Sequence, residues 1–268
     1  VNIKVASLLK EYKLGESAKL LYEFTWNDFC DWYVEFAKQR FNNKETNNRQ
    51  ISEKVLIKVL NDILVMIHPF MPHITEELWH VLQLKSDKEL LSLQKWPTQE
   101  NKFVDNKLDN SFQQLFEIIR LIRNLRAELG LKPSEKVPVY LISDNDELID
   151  FLKILVDDIQ TLTKSSEVFI FKTNAVDKKE FAKSFSGIIS DLEVYLPFQD
   201  FVNIDALKER LNKDLKKVTI ELDNLNKRLS NKNFVDKAPK DIVDECRFKL
   251  NEGSVQMERI TKKLELLN

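Results

Sequence analysis

The chain has 268 residues, 31% charged and 43% apolar, with a formal net charge of −2, the balance of a globular protein of about one large domain or two to three small ones. Its 4 glycines argue against glycine-rich phosphate-cradling loops of the Rossmann or P-loop kind. Cys30 and Cys246 are too few for a disulfide scaffold or a cysteine-ligated zinc and fit a reducing, cytoplasmic compartment.

No run of about 18 apolar residues and no basic-then-apolar leader occurs, so neither a membrane span nor a secretory signal is expected. The chain opens at Val1 rather than Met, which suggests a piece of something longer. Residues 201–268 hold 15 Lys and Arg against 12 Asp and Glu, a net of +3, which leaves −5 on the remaining 200 residues. An acidic body with a mildly basic tail permits a polyanionic partner for the tail without requiring one.

The first region, residues 1–130, reads as a helical bundle. From Glu16 to Phe41, the apolar residues Leu20, Leu21, Phe24, Trp26, Phe29, Trp32, Tyr33 and Phe36 recur mostly at three- and four-residue steps. Trp32 and Tyr33 suit either core packing or stacking on nucleic-acid bases. The Asn-rich stretch Asn42 to Arg49 reads as a loop. Periodicity resumes through Val55, Val59, Ile63 and Ile67 until Pro69 and Pro72 break it, with Thr75 expected to cap the next helix. After Trp96-Pro97 a helix from about Asp105 to Leu129 carries Leu115, Ile118, Ile119, Ile122 and Leu125 on one side, and Gly130 and Pro133 end it.

Residues 131–202 change to a small α/β unit. Strands are expected at Val137 to Ile142, Val168 to Phe171 and Leu192 to Leu196, with a further candidate around Phe181 to Phe185. One helix from Asp144 through Leu148, Leu152, Leu155 and Ile159 should lie between the first two. The acidic cluster Asp144, Asp146, Glu147 and Asp150 fits the positive end of that helix better than paired catalytic carboxylates.

Residues 203–268 carry two seams. Leu207, Leu211, Leu215, Val218, Leu222, Leu225 and Leu229 form one. Val243, Cys246, Leu250, Gly253, Met257, Ile260, Leu264 and Leu267 form the other, with Gly253 as its gap. Each spans about three heptads. The polar connector Ser230 to Pro239 predicts an antiparallel coiled-coil hairpin, an arm reaching roughly 35 Å at the α-helical rise. It is expected to move as a unit about the Phe198 to Ile204 junction. The fold class is thus mainly α: a helical bundle, a small α/β unit and a C-terminal antiparallel coiled-coil hairpin.

No catalytic constellation stands out. His68, His73 and His80 lack cysteines and HExxH spacing, so capping or packing is favoured over metal binding. Nucleic-acid signals are better. Arg120, Arg123 and Arg126 repeat every third residue along one helix, either as a phosphate-binding stripe or as a solvated face paired with Glu117 and Glu128. Lys208, Arg210, Lys213, Lys216 and Lys217 cluster at the arm's base, where a hairpin returns Arg259, Lys262 and Lys263. Such a meeting of charges makes either a backbone-binding patch or the ordinary surface of a coiled coil.

Trp26-Asn-Asp-Phe-Cys-Asp-Trp-Tyr33 with Glu35 and Lys38, the segment His68-Pro-Phe-Met-Pro-His-Ile-Thr-Glu-Glu-Leu-Trp79, and Trp96-Pro97 resemble the anticodon-binding domain of class I synthetases for large aliphatic amino acids. Leu192-Glu-Val-Tyr-Leu-Pro197, the heptads after Asp205 and Leu229-Ser-Asn-Lys-Asn-Phe-Val-Asp-Lys-Ala-Pro239 resemble the junction and terminal arm of bacterial-type valyl-tRNA synthetases. The resemblance implies a bundle that binds the anticodon stem-loop (Lys38 and Arg40 among its candidate contacts) and an arm that holds the tRNA elbow. It implies no catalytic centre and no cofactor in this chain. ATP and magnesium would serve the full enzyme, whose HIGH and KMSKS signatures are not found here. The implied partners are valine tRNA and upstream catalytic and editing domains of a monomeric enzyme. The alternatives are an isoleucyl- or leucyl-type fragment, opposed by the arm and the missing zinc cysteines, and a coiled-coil protein-interaction module.

Overall fold

A helix this short of glycine and this rich in apolar residues must find neighbours for its apolar face, and the computed structural model shows how each segment does so. Residues 1–42, 46–83, 89–98, 103–198 and 201–267 are described. Backbone packing divides the chain into two compact units, Val1–Asn106 and Lys107–Asn268.

The first unit is helical: α1 (Asn2–Lys10), α2 (Leu14–Glu23), a π-helical stretch (Phe24–Val34), α3 (Glu35–Asn42), α4 (Thr46–Ile67) and α5 (Pro72–Gln83). Val5, Leu21 and Met66 form one buried cluster with Leu9, Leu20, Ile67, Phe70 and Trp96 against it. Leu64, Trp79 and Leu91 form another. The aromatic run expected to be α-helical is a π-helix. Its wider turn lets Phe29 and Tyr33 stack with ring centroids 5.9 Å apart. Trp32 is buried, and the Tyr33 hydroxyl donates to the Ser52 carbonyl oxygen at 3.1 Å, so both take the core alternative. Tyr22 and Trp26 stack on each other at the surface instead.

Two expectations are corrected in this unit. Of the predicted loop 42–49, residues 43–45 lie outside the described residues, and α4 already begins at Thr46. The eight residues of this stretch are polar, but polarity alone does not stop a helix. Thr75 is no cap, because α5 starts at Pro72, where a missing N–H costs nothing. The Thr75 hydroxyl instead donates back to the Met71 carbonyl at 2.8 Å and meets His68 Nδ1 at 2.8 Å. His80 Nε2 lies 3.2 Å from Glu76, whose carboxylate also accepts the Leu91 N–H.

The second unit opens with α6 (Asn106–Leu129), followed by β1 (Val139–Ser143), α7 (Asp146–Ile154), α8 (Val156–Thr163), β2 (Val168–Lys172), β3 (Ser184–Ile189) and β4 (Leu192–Pro197). The sheet order is β2-β1-β4-β3, with β1 and β2 parallel and the other two pairs antiparallel. Parallel pairing of β1 and β2 requires the helical crossover that α7 and α8 supply. The expected single helix is two, because the chain leaves helical geometry at Leu155 (φ −110°, ψ 16°). The Asn145 side chain accepts the Leu148 N–H and caps α7. The strand expected around Phe181 to Phe185 lies later: a 3₁₀ turn occupies Lys178–Phe181 and the strand starts at Ser184.

Period-two alternation gives the sheet two faces. Val139, Leu141, Val194 and Leu196 are fully buried. On the opposite face Tyr140 packs against Phe169, Phe171 and Phe181, and Phe181 stacks on Tyr195. Gly187 on β3 admits the Leu121 side chain of α6, whose Cδ1 would sit 2.6 Å from any β-carbon there. At the edge of the aromatic face Lys178 Nζ and the Tyr195 hydroxyl each donate to Glu193 at 2.6 Å.

The arm is α9 (Ile204–Ser230) and α11 (Lys240–Leu266), joined through the short α10 (Lys232–Lys237) inside the predicted connector. The Asn203 side chain caps α9 by accepting the Ala206 N–H, and Pro239 stands at the N-cap of α11. Both seams are buried or half-buried at every predicted position. Gly253 is not a defect in the second seam. A β-carbon there would lie 2.8 Å from Leu222 Cδ2, so the glycine is the hole that receives the Leu222 knob.

Two measurements check this fold. Burial, then the hydrogen bond and charge of Glu193, push the Tyr195 phenol up to about 12. Its contribution to stability is full below the ordinary tyrosine pKa of about 10 and is lost as pH rises through the folded value. Tyrosinate absorbance of the native chain minus that of Tyr195→Phe should rise near pH 12, and a difference curve centred near 10 would refute the buried environment. In the arm, Gly253→Ala should be close to neutral, because a helix gain of about 1 kcal/mol opposes displacement of Leu222. Gly253→Leu should destabilise by about 1–3 kcal/mol through overpacking, read by denaturant unfolding followed by helical circular dichroism.

Candidate nucleic-acid interface

Arginine at a helix surface has two competing outlets: outward to an anion, or across to the unpaired carbonyls that every helix leaves at its C-terminus. The stripe on α6 divides between them. Arg120 is exposed. Arg123 is exposed as a residue, but its Nε donates to the Leu162 carbonyl at 3.0 Å, in the last turn of α8. Arg126 is buried at 6% exposure, and its Nη2 donates to the carbonyls of Glu135 at 2.8 Å and Lys132 at 3.3 Å. Burial lowers its pKa, opposed by the nearby Glu135 charge. The three-residue repeat therefore does not line up three guanidinium groups toward solvent: Arg126 staples the loop that follows its own helix.

That loop closes α6 in a Schellman turn. Gly130, at φ +74°, donates its N–H to the Ala127 carbonyl, and Leu131 donates to the Arg126 carbonyl, both at 3.0 Å. The Glu128 carbonyl belongs to neither bond. Arg210 of α9 fills this vacancy, with Nη2 donating to the Glu128 carbonyl and, at 3.5 Å, to that of Ala127. The Glu128 side chain in turn pairs with Lys263 of α11 at 2.8 Å. Lys263 also lies 5.7 Å above the Phe185 ring on β3, within cation–π range. Two members of the predicted basic patch thus hold the arm's base to the body.

The rest of the patch faces outward. Lys213, Lys216, Lys217 and Arg259 are exposed and Lys208 is half-exposed. None of the five has an ion-pair or hydrogen-bonding side-chain partner among the described residues. With Leu222 seated opposite Gly253, the antiparallel register sets Lys216 level with Arg259 and Lys213 level with Lys262. Lys262 is paired with Glu258 on its own helix at 2.7 Å, an exposed contact worth little in water. The arrangement can grip a polyanion from two helices at one height, through charge rather than through a concave pocket.

In the first unit Lys38 is paired with Glu35, and Arg40 Nη1 donates to the Phe36 carbonyl at 2.9 Å on its own helix. Sequence reasoning did not single out Gly130 or Phe185 at the arm's base, and it took Glu128 only as a partner for the arginine stripe. The glycine after a long helix was the one available signal. The pairing of residues some eighty positions apart left none.

Comparison with known proteins adds the following. Residues 1–141 match the family described as the anticodon-binding domain of tRNA ligase, and residues 203–268 match the family described as the valyl tRNA synthetase tRNA binding arm. The first match runs through α6, which packs with the second unit. The chain is 72% identical over 267 residues to the valine–tRNA ligase of Prochlorococcus marinus subsp. pastoris, covering 100% of this chain and 29% of that protein. It is 46% identical to that of Prochlorococcus marinus strain SARG over 98% of this chain and 29% of the relative. Against the Synechocystis enzyme the identity is 38%, over 97% of this chain and 29% of the relative. The chain thus spans less than a third of the length of these relatives. It belongs to the valyl-tRNA synthetase family, matching that family's anticodon-binding-domain and terminal-arm segments.

Proposed function

We propose that this chain is the tRNA-gripping portion of a valine–tRNA ligase. Residues 1–130 act as the anticodon-binding bundle, 131–202 as a junction domain and 203–268 as the arm that holds the outer corner of valine tRNA. The observation that carries the reading is the two-sided level of outward basic residues on the arm, Lys213, Lys216 and Lys217 on α9 and Arg259 on α11. Such a patch recognises phosphate spacing and the shape of folded RNA, not base identity. Lys208 and Lys262 extend it. Arg120, Lys38 and Arg40 are secondary candidates, each on a helix surface of its own unit.

Chemistry belongs to the rest of the enzyme in this reading. Joining valine to its tRNA uses ATP and magnesium at a site carrying the HIGH and KMSKS signatures, which these 268 residues do not contain. Upstream catalytic and editing domains of a monomeric, cytoplasmic enzyme complete the proposed setting. No helix among the described residues is long and apolar enough to cross a membrane.

The test is binding to valine tRNA and to an unrelated elongator tRNA across a salt series. Wild type should bind with a steep salt dependence, and Lys213→Glu/Lys216→Glu/Lys217→Glu should lose it. Each phosphate contact removed should flatten the slope of log K against log salt by about 0.7–0.9. Equal affinity for both tRNAs would assign grip without identity to the chain. An unchanged slope in the triple variant would remove the arm patch from the interface.

A further inference from the structure

We infer that Arg210, Glu128 and Lys263 are positioning residues: they form a latch that fixes the angle of the arm on the sheet-and-helix body, so that the RNA-facing lysines are held in place before RNA arrives. The inference rests on the reading of the arm as an RNA-binding element, but the latch itself is a statement about the protein alone.

Three observations carry it. First, α9 leaves the sheet domain through a short junction after Phe198, of which residues 199–200 lie outside the described residues. The Phe198 carbonyl accepts the N–H groups of Phe201 and Val202, and beyond that turn a hairpin attached at one end takes its orientation from side contacts. Second, both helices of the arm make such a contact, and both converge on one residue. Arg210 caps the Glu128 carbonyl and Lys263 pairs with the Glu128 carboxylate. A rod held at two points on its two helices resists both tilt and twist, whereas one contact would leave a pivot. Third, the body is shaped for the latch. Gly130 provides the left-handed turn that exposes the α6 carbonyls, and a β-carbon on it would lie 2.6 Å from Arg210 Nη1. Phe185, packed edge-on against Phe198 at 5.6 Å, presents its ring to Lys263.

The assignment separates these cations from the outward patch. If Lys263 contacted phosphate, Glu128 would be a competing anion, and removing its charge would tighten RNA binding. If Lys263 positions the arm, removing that charge loosens the arm and weakens binding. The two roles predict opposite signs from one substitution.

The experiment uses the full 268-residue chain with Cys30→Ser and Cys246→Ala, spin-labelled through Ile154→Cys on α7 and Asn226→Cys near the distal end of α9. Pulsed dipolar spectroscopy then reads the distance between body and arm without RNA. A single narrow distribution is expected, broadened in Glu128→Gln/Arg210→Gln as the arm swings about the Phe198 to Ile204 junction. Arg210→Lys, which keeps the charge but lacks the guanidinium fork, should broaden it partially and serves if the double variant does not fold. Valine tRNA affinity should fall about tenfold in the double variant, as expected if about one tenth of arms hold the competent angle. The salt slope should stay unchanged, because no phosphate contact is lost. A distance distribution as narrow as wild type in both variants would overturn the latch, as would tighter tRNA binding by Glu128→Gln. Absence of tRNA binding by the unmodified chain would instead remove the functional reading and leave the distance measurement to decide the latch.

Discussion

Every α-helix ends with carbonyl groups that have lost their intrahelical partners, and the second unit of this protein is organised around how one such end is satisfied. The C-terminus of α6 receives a backbone turn at Gly130 and a guanidinium group from α9, 82 residues away at Glu128. Arg126 reaches past the same turn to hold the loop that leads into β1. A single helix end thereby sets the exit of the chain into the sheet and the approach of the arm to the body. The cap is local in its chemistry and global in its consequence.

Arginine serves this purpose better than lysine because its donors form a rigid fork that can reach two carbonyls together. Arg210 does so at the end of α6, with the carbonyls of Glu128 and Ala127, while Arg123 meets the single Leu162 carbonyl at the end of α8. Cations at helix C-termini also meet the negative end of the helix dipole, which adds a favourable field to each hydrogen bond. These guanidinium groups are already engaged by backbone carbonyls, although both residues remain exposed. The basic surface of the arm without internal partners among the described residues is narrower than the tally of basic residues suggests, and centres on Lys213, Lys216, Lys217 and Arg259.

The arm itself is held by a seam in which shape matters as much as apolarity. Gly253 interrupts the hydrophobic repeat in sequence, yet it sits where Leu222 needs room. A glycine inside a 27-residue helix weakens the helix by about 1 kcal/mol relative to alanine, and the close approach of the facing helix offsets that loss. This local exception also fixes the register, since only one alignment places the leucine over the hole. Register in turn decides which lysines of α9 stand level with which cations of α11.

The sequence by itself determined the mainly helical class, the two seams and their antiparallel return, the three main strands and the end of α6, because periodicity, glycine and proline act within a few residues of one another. The resemblance carried by its motifs led to the same family that comparison found. It did not determine the π-helical turn at Phe24–Val34, the break at Leu155 or the later start of β3, where bulky residues satisfy more than one local geometry. Nor could three-residue spacing tell an outward arginine from an inward one. Arg126 and Arg120 occupy equivalent places in the repeat, and only the loop folding back over Arg126 buries it. The same holds for Arg210 and Lys263. Charge is written in the sequence, but the partner of a charge is chosen by the fold, since carbonyls and carboxylates distant along the chain compete with solvent only after tertiary packing brings them within hydrogen-bonding reach.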